Sequence, residues 1–151
     1  MKKVEQDKNK KQKQALKDFR NDNKTVRERV NEAQAAFNEY IRVRDRDKPC
    51  VSCGAVSSPQ WDAGHYRSRG AASHLRFNLL NTQKQCNKCN RFLSGNIVEY
   101  RKELLNRIGE ERLERLENDN EPRKFDREYL ERVKKIFRKR TRIYKKIRKL
   151  P

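Results

Sequence analysis

Apolar residues are scarce in this sequence and never form a long run. Only 33% of its 151 residues are hydrophobic, against 40% that are charged, and this is too little apolar material for a large core. No apolar stretch approaches the roughly 18 residues of a transmembrane helix. The lysine-rich start also lacks the apolar segment of a secretory signal. We therefore expect no membrane partner and a location in the cytoplasm.

Cysteine and histidine are also rare, with four and two copies. The cysteines form two C-x-x-C pairs, Cys50 with Cys53 and Cys86 with Cys89. In a chain without an export signal, such pairs indicate metal ligands much more than disulfides. Each pair presents two thiolates on one side of a turn, and two such turns complete the tetrahedral shell of a structural Zn²⁺. Zinc binding would add folding free energy that a small core lacks.

Positive charge is what the sequence has in excess. The formal net charge is +19 and the pI is near 10.1, far beyond what solubility requires, so the expected partner is a polyanion such as nucleic acid. Charge alone leaves open an enzyme that acts on DNA, a non-catalytic four-cysteine zinc module that binds DNA, and a basic RNA-binding protein. Affinities for branched DNA, linear duplex and RNA, compared at one salt concentration, separate these alternatives.

The N-terminal third is predicted to contain two kinds of segment. Residues 1–24 form a basic arm, either disordered or a frayed helix, that can contact phosphates. Residues 25–48 are predicted to be mainly helical, because Thr25 and Glu28 fit a capping box and apolar residues then recur at steps of three and four to about Arg44. We expect the apolar face of this helix to pack on the zinc module.

The zinc module is assigned to residues 49–108. A short strand is expected over residues 60–68 and a second extended or irregular piece over residues 75–80, so that the chain forms a β-hairpin and returns to the metal. Asn96, with Glu99 three residues later, is predicted to cap a helix that ends at Gly109.

Residues 110–151 are predicted to form two basic helices, a short one over residues 110–117 and a long one from about Asp126. A heptad-like apolar stripe runs along the long helix. Its members are Val133, Ile136, Arg140, Ile143, Ile147 and Leu150. The stripe can pack on the zinc-containing domain, pair with a second copy of the chain, or pair with the N-terminal helix.

The residues that can carry chemistry lie between and beside the cysteine pairs. His65 is on the first predicted strand near Asp62, and Asn81 and Asn90 precede and follow the second pair. Hydrolysis of a phosphodiester needs a water that is deprotonated near neutral pH, which a neutral imidazole can achieve, and a hard cation on the phosphate. Carboxylate and amide oxygens suit Mg²⁺ or Mn²⁺, whereas four thiolates suit Zn²⁺.

These residues resemble the pattern of the HNH, or ββα-metal, endonucleases. In that family a hairpin strand carries a general-base histidine, the loop carries a structuring asparagine, and the start of a helix carries a metal-binding histidine or asparagine. The resemblance implies that His65 is the base, Asn81 the structuring residue and Asn90 a ligand of catalytic Mg²⁺ or Mn²⁺. The asparagine directly after the last cysteine is similar to that of endonuclease VII-like members.

A wider set of short motifs, within residues 41–108, is similar to the phage NinG/Rap recombination family. The motifs are Asp62-Ala63-Gly64-His65-Tyr66, Leu75-Arg76-Phe77-Asn78, Gln85-Cys86, Cys89-Asn90 and Ser94-Gly95-Asn96. The resemblance implies a structure-specific endonuclease that acts on branched DNA, such as Holliday junctions and D-loops, in a bacterial or phage-infected cell. Two cuts are needed to resolve a four-way junction, which favours a homodimer with the terminal helices as its interface.

One position departs from the family pattern. Many members carry a metal-binding aspartate or histidine directly before the base, where this chain has Gly64. Asp62 is the nearest carboxylate and shares a strand face with position 64. Asp62 therefore contacts the catalytic metal directly or through water, or else it is an ordinary turn or helix-capping aspartate.

Basic residues around the spacer are expected to bind phosphates without reading sequence. They are Arg67, Arg69, Arg76, Lys88 and Arg91. Together with the family resemblance, these features predict an α+β protein in which a small zinc-stapled ββα-metal (HNH) module is flanked by long basic α-helices.

Overall fold

The computed structural model describes the backbone of residues 2–150 and the side chains of residues 5–150. Mostly helical, it contains a small antiparallel hairpin, which makes it an α+β fold. The elements are α1 (Lys2–Asp22), α2 (Val26–Arg44), β1 (Trp61–His65), β2 (Thr82–Cys86), α3 (Ile97–Ile108), α4 (Glu110–Asn118) and α5 (Arg127–Ile147). A 3-10 turn at Ser73–Leu75 and a π-helical turn at Lys88–Phe92 lie between them. Across the described residues, none of the helices is long and apolar enough to cross a membrane.

The N-terminal basic arm is helical, as α1. Its side chains are almost all exposed, because the segment offers few apolar residues that could be buried. The end of α1 is held by polar contacts, since Arg29 donates to the Asn21 carbonyl and Arg127 pairs with Asp22. Of the two forms expected for this arm, the structure has the helix.

The start of α2 confirms the capping box. The Thr25 hydroxyl accepts from the Glu28 N–H (3.2 Å), and the Glu28 carboxylate accepts from the Thr25 N–H (2.8 Å). These two bonds satisfy backbone donors that a helix start otherwise leaves unpaired. The helix ends at Arg44, where the sequence periodicity places its end.

Helix α5 packs along α2, and aromatic rings form the contact. Phe137 meets Phe37 edge to face with ring centroids 4.9 Å apart, and the Tyr40 ring lies 5.2 Å from that of Phe137. The prediction that this packing face of α5 is the heptad-like stripe is wrong for most of its members, because Ile136, Ile143 and Ile147 are exposed. The buried face consists instead of Leu130, Val133, Lys134, Phe137 and Thr141. Within the described chain α5 therefore pairs with the N-terminal helix α2, one of the three expected arrangements, but through a face other than the predicted stripe.

The other apolar cluster joins α3 and α4 to the hairpin. Tyr100 and Leu104 of α3 and Leu113 and Leu116 of α4 are buried together. The Tyr100 hydroxyl donates to the Gly64 carbonyl (2.9 Å), which satisfies its polar atom inside the cluster. This contact attaches α3 directly to the strand that carries His65.

The hairpin pairs β1 with β2 in antiparallel register, with Trp61 opposite Cys86 and His65 opposite Thr82. The first strand is shorter than the predicted segment 60–68. Residues 75–80 take the irregular form that was one of the two expected, and the second strand is Thr82–Cys86. Because β2 ends in Cys86, the hairpin leads directly into the second cysteine pair.

Candidate functional site

The two cysteine pairs converge on one point. The sulfur atoms of Cys50, Cys53, Cys86 and Cys89 all lie within 4.8 Å of one another, and Cys53 Sγ is 3.8 Å from Cys86 Sγ. A tetrahedral zinc with Zn–S bonds of about 2.3 Å separates its sulfur ligands by about 3.8 Å. The cluster is thus compatible with a structural Zn²⁺ site.

Hydrogen bonds to sulfur surround this cluster. The Cys86 N–H donates to Cys50 Sγ (3.3 Å) and the Cys89 N–H to Cys86 Sγ (3.4 Å). Burial disfavours the Cys50 thiolate, but backbone donors outweigh burial and lower the pKa of Cys50 to about 7. Burial instead raises the pKa of Cys89. A bound cation would favour the thiolate of Cys89 against this effect of burial.

Asn96 corrects one prediction about the helix that follows. It was expected to cap α3, but its side-chain Nδ2 donates to Cys89 Sγ (3.6 Å). Its backbone is left-handed, with φ of 45°, whereas an N-cap residue is typically extended. Asn96 therefore connects the start of α3 to the cysteine cluster.

His65 is the last residue of β1, and its ring is oriented by the backbone. Nε2 lies 2.9 Å from the Arg76 carbonyl oxygen. Because a carbonyl only accepts, Nε2 carries the proton and Nδ1 is left as an acceptor. Burial lowers the pKa of His65 to about 4, assisted by the positive charge of Arg69 and opposed by the carbonyls of Arg76 and Ala63. The imidazole is thus neutral at neutral pH.

Asp62 and Asn90 are brought together by the hairpin and the π-helical turn. Asn90 Nδ2 donates to Asp62 Oδ2 (2.9 Å), and Arg91 donates to both carboxylate oxygens (2.8 and 3.1 Å). Burial raises the pKa of Asp62, but its bonds to Arg91, Asn90 and Gln60 outweigh burial and lower it. Asp62 is therefore an ionised carboxylate in mid-strand, and the turn or helix-capping alternative does not describe it.

Asp62, His65 and Asn90 line one open cleft of about 600 Å³. Its other walls come from α2, from the loop after β1 and from the segment after the π-helical turn. Three arginines, Arg42, Arg69 and Arg91, lie among its lining residues. Three polar groups of different chemistry thus share a cleft that attracts anions.

Sequence reasoning did not identify Arg42 as a site residue. It projects from α2 one turn after Asn38, and both line the cleft. The spacing of Asn38 and Arg42 was a usable signal, because residues four apart share a helix face and this helix was predicted to pack on the zinc module. The sequence does not indicate which helical face meets the cleft.

Asn81 lies behind the cleft and is fully buried. Its side chain accepts from the Arg67 N–H (2.9 Å) and donates to the Arg67 carbonyl (3.0 Å). Its own carbonyl accepts from the Tyr66 N–H (2.8 Å). Asn81 therefore fixes the backbone directly after His65.

The five basic residues expected to bind phosphates divide into two groups. Arg69 and Arg91 line the cleft, and Lys88 is exposed on the π-helical turn. The Arg67 guanidinium donates to the carbonyls of Leu116 (3.1 Å) and Asp119 (2.6 Å), and that of Arg76 donates to Gln34 (3.3 Å). Arg67 and Arg76 thus hold the fold together, and a phosphate contact remains a prediction for all five.

The geometry defines a basic, mostly helical α+β protein whose two-stranded hairpin joins a four-cysteine cluster to a cationic cleft. A family model described as bacteriophage lambda NinG protein matches residues 1–148, and the chain belongs to this family.

Curated relatives carry the name protein ninG. The chain is 45% identical to protein ninG of Escherichia phage lambda over 113 residues, and this alignment covers 75% of the chain and 55% of the relative. It is 48% identical over 105 residues to that of Enterobacteria phage H19B, covering 70% and 52%. For Salmonella phage P22 the identity is 43% over 113 residues, covering 75% and 56%. The chain thus spans about half the length of these relatives. No solved structure matches it significantly.

Proposed function

We propose that this chain is a metal-dependent DNA endonuclease of the HNH type that hydrolyses phosphodiester bonds in branched recombination intermediates such as Holliday junctions and D-loops. The observation that carries the proposal is the convergence of Asp62, His65 and Asn90 on one cationic cleft. This set combines a proton acceptor, oxygen donors for a hard cation and positive charge for phosphate, as such hydrolysis requires.

His65 is the general base in this proposal. Its Nδ1 is the ring nitrogen that would take a proton from water, because the bond from Nε2 to the Arg76 carbonyl fixes the tautomer and the ring orientation. The lowered pKa keeps the ring unprotonated throughout the neutral range. Asn81 and Arg76 act through His65, since they fix the backbone and the ring without lining the cleft.

Asp62 and Asn90 are the proposed ligands of a catalytic Mg²⁺ or Mn²⁺. Their side chains are 2.9 Å apart, and a half-turn of the Asn90 amide exchanges its nitrogen for its oxygen, so the pair offers the oxygen donors that these ions prefer. A divalent cation bound there would stabilise the charge that develops on the phosphate and on the leaving 3′-oxygen. Arg91 orients the Asp62 carboxylate, while Arg42 and Arg69 add charge for neighbouring phosphates.

The chain is expected to act on DNA as a homodimer, because a four-way junction needs two symmetric cuts. The outer face of α5 supports this assembly, since it exposes three isoleucines, Ile136, Ile143 and Ile147, by 46%, 45% and 75%. Exposed apolar side chains aligned on one helix favour association.

Cleavage of labelled substrates tests the proposal. Wild type is incubated with a four-way junction, linear duplex and RNA of equal length at one salt concentration, with Mg²⁺, Mn²⁺ or no divalent cation. We expect metal-dependent cutting of the junction, and its loss in Asp62→Asn, a nearly isosteric variant that removes the ligand charge. Tight binding of DNA without cutting under any condition would favour the non-catalytic zinc module, and preferred binding of RNA would favour the RNA-binding alternative.

A further inference from the structure

The edge of the cleft carries an exposed apolar surface. Within seven residues, Phe92, Leu93, Ile97 and Val98 expose 76%, 48%, 41% and 69% of their surface. We call these four residues the apolar rim. In a chain so poor in apolar residues, a cluster of large exposed ones marks an interaction site.

The backbone between the two halves of the rim is held in an unfavourable conformation. Ser94, Gly95 and Asn96 are consecutive left-handed residues, with φ of 47°, 89° and 45°. Two of them carry a Cβ, for which this region is disfavoured. Such backbone persists only where the surroundings enforce it.

The cysteine cluster and the strand behind it supply that enforcement. The Gly95 N–H donates to the Cys89 carbonyl (2.9 Å), and the Gly95 carbonyl accepts from Gln85 Nε2 (2.6 Å). Asn96 donates to Cys89 Sγ (3.6 Å). The segment is thereby fixed, and Phe92 and Leu93 are presented to solvent.

The rim lies directly beside the residues of the cleft. Phe92 follows Asn90 and Arg91 on the same π-helical turn, and Ser94 and Gly95 line the cleft themselves. The arginines of the cleft favour a polyanion as its ligand. An apolar surface at the edge of the cleft would then contact the apolar part of that polyanion. In nucleic acid this part is the face of a base, which is covered in an intact duplex and available where bases are unpaired or unstacked.

We propose that the apolar rim stacks on bases left unpaired or unstacked at the branch point of DNA, with Phe92 as the stacking residue. The inference rests on the proposed function, in that it places a DNA phosphate in the cleft. It deepens that function by assigning the recognition of branched over linear DNA to contacts separate from His65.

The test is binding, without cleavage, of DNA that carries 2-aminopurine at the branch point. Wild type, Phe92→Ala and Phe92→Trp are compared in the His65→Ala background with Ca²⁺, and affinity is measured at one salt concentration for branched and linear DNA. Val56→Ala is the control, because Val56 is also apolar and 85% exposed, whereas its chain neighbours, unlike Arg91 beside Phe92, do not line the cleft.

We expect Phe92→Ala to lose the fluorescence change and to weaken binding of branched DNA by about 5- to 150-fold, the usual effect of removing one stacked aromatic. Linear DNA should be bound as before, Phe92→Trp should restore the signal, and Val56→Ala should match the parent. An unchanged signal, or equal weakening for linear DNA, would overturn the inference. If Phe92→Ala instead changes the oligomeric state measured by sedimentation, the inference is also overturned.

The inference and the proposed function fail in different ways. If the His65-containing protein never cuts but Phe92 still controls the 2-aminopurine signal, the stacking inference stands and the nuclease falls. If the protein cuts junctions while Phe92→Ala leaves both signal and affinity intact, the nuclease stands and the stacking inference falls.

Discussion

The half-buried imidazole of His65 should make the stability of this protein fall in mild acid. In the unfolded chain a histidine has a pKa near 6.5, whereas burial in the fold lowers the pKa of His65 to about 4. The folded state therefore favours the deprotonated ring. Stability from this group is complete above pH 6.5 and is lost as the pH falls from 6.5 through 4, because the unfolded chain takes up the proton more readily.

The pKa difference sets the magnitude. With pKa values of 6.5 unfolded and about 4 folded, linkage gives a loss of about 2 kcal/mol between pH 7.5 and pH 5. The measurement is urea unfolding of zinc-loaded protein at several pH values in this window, for wild type and His65→Gln, which keeps a polar side chain but does not titrate. We expect the wild-type curve to fall more steeply than that of the variant by about 2 kcal/mol.

His74 provides the control for this experiment. Its Nε2 contacts the Asp119 carbonyl (2.6 Å) outside the cleft, so His74→Gln shows what the same exchange does to the curve at a site away from His65. Parallel curves for wild type and His65→Gln would refute the reasoning, because they would show that His65 titrates alike in the folded and unfolded chain.

Three further predictions follow from packing and ligation. Chelation should remove about one zinc per chain and the structure around the hairpin with it, as metal analysis and circular dichroism would show; a chelated protein with an unchanged spectrum would contradict this. Gly64→Ala should destabilise by about 1–3 kcal/mol, since a Cβ there would lie 2.1 Å from Gln85 Oε1. A Cβ at Gly70 would lie 3.9 Å from Ser68 Oγ, an ordinary van der Waals distance, so equal unfolding midpoints for Gly64→Ala and Gly70→Ala would contradict this. Ile143→Asp should shift sedimentation from dimer to monomer, and a monomeric wild type would exclude α5 as the interface.

Features set by neighbouring residues were predictable from the sequence. The capping box at Thr25 and Glu28 involves residues three apart, and so does the start of α5, where Asp126 accepts from the Tyr129 N–H (2.7 Å). The cysteine cluster was predictable for another reason, since four thiols in two close pairs have one common chemistry. In these cases local geometry or ligand preference leaves few alternatives.

The second strand was not predictable because its sequence is polar. All five residues of Thr82–Cys86 are buried, without the alternation that reveals a strand. Distant groups accept hydrogen bonds from two of these side chains: Gln85 Nε2 donates to the Ser52 hydroxyl (2.6 Å), and Lys84 Nζ donates to the Arg46 carbonyl (2.7 Å). Such partners lie more than thirty residues away in the chain.

The buried face of α5 was mistaken because the helix carries two apolar stripes. The exposed stripe contains Ile136 and Ile143, and the buried stripe contains Val133 and Phe137. Periodicity alone does not decide between them. The decision comes from α2, whose Phe37 and Tyr40 offer aromatic surfaces that fit Phe137.

The candidate site contains residues that the sequence indicates and residues that only long-range packing reveals. His65, Asp62 and Asn90 were chosen from motif spacing, and the fold places all three on the cleft. Arg42 was missed because it comes from another helix. The Arg67 guanidinium contacts the end of α4, which the sequence did not indicate, and its phosphate contact stays a prediction. Sequence near a motif thus indicates the candidate residues, while long-range packing decides which charges face the cleft.

The central claim is that His65 removes a proton from the attacking water. Its most direct test is the single-turnover rate of cutting a labelled four-way junction with Mg²⁺, for wild type, His65→Ala and His74→Ala, each shown to retain zinc and to bind the junction. We predict that His65→Ala lowers the rate by about 10²- to 10⁴-fold, the usual contribution of a general base, while His74→Ala cuts at the wild-type rate. A zinc-loaded, junction-binding His65→Ala protein that cuts as fast as wild type would contradict the claim.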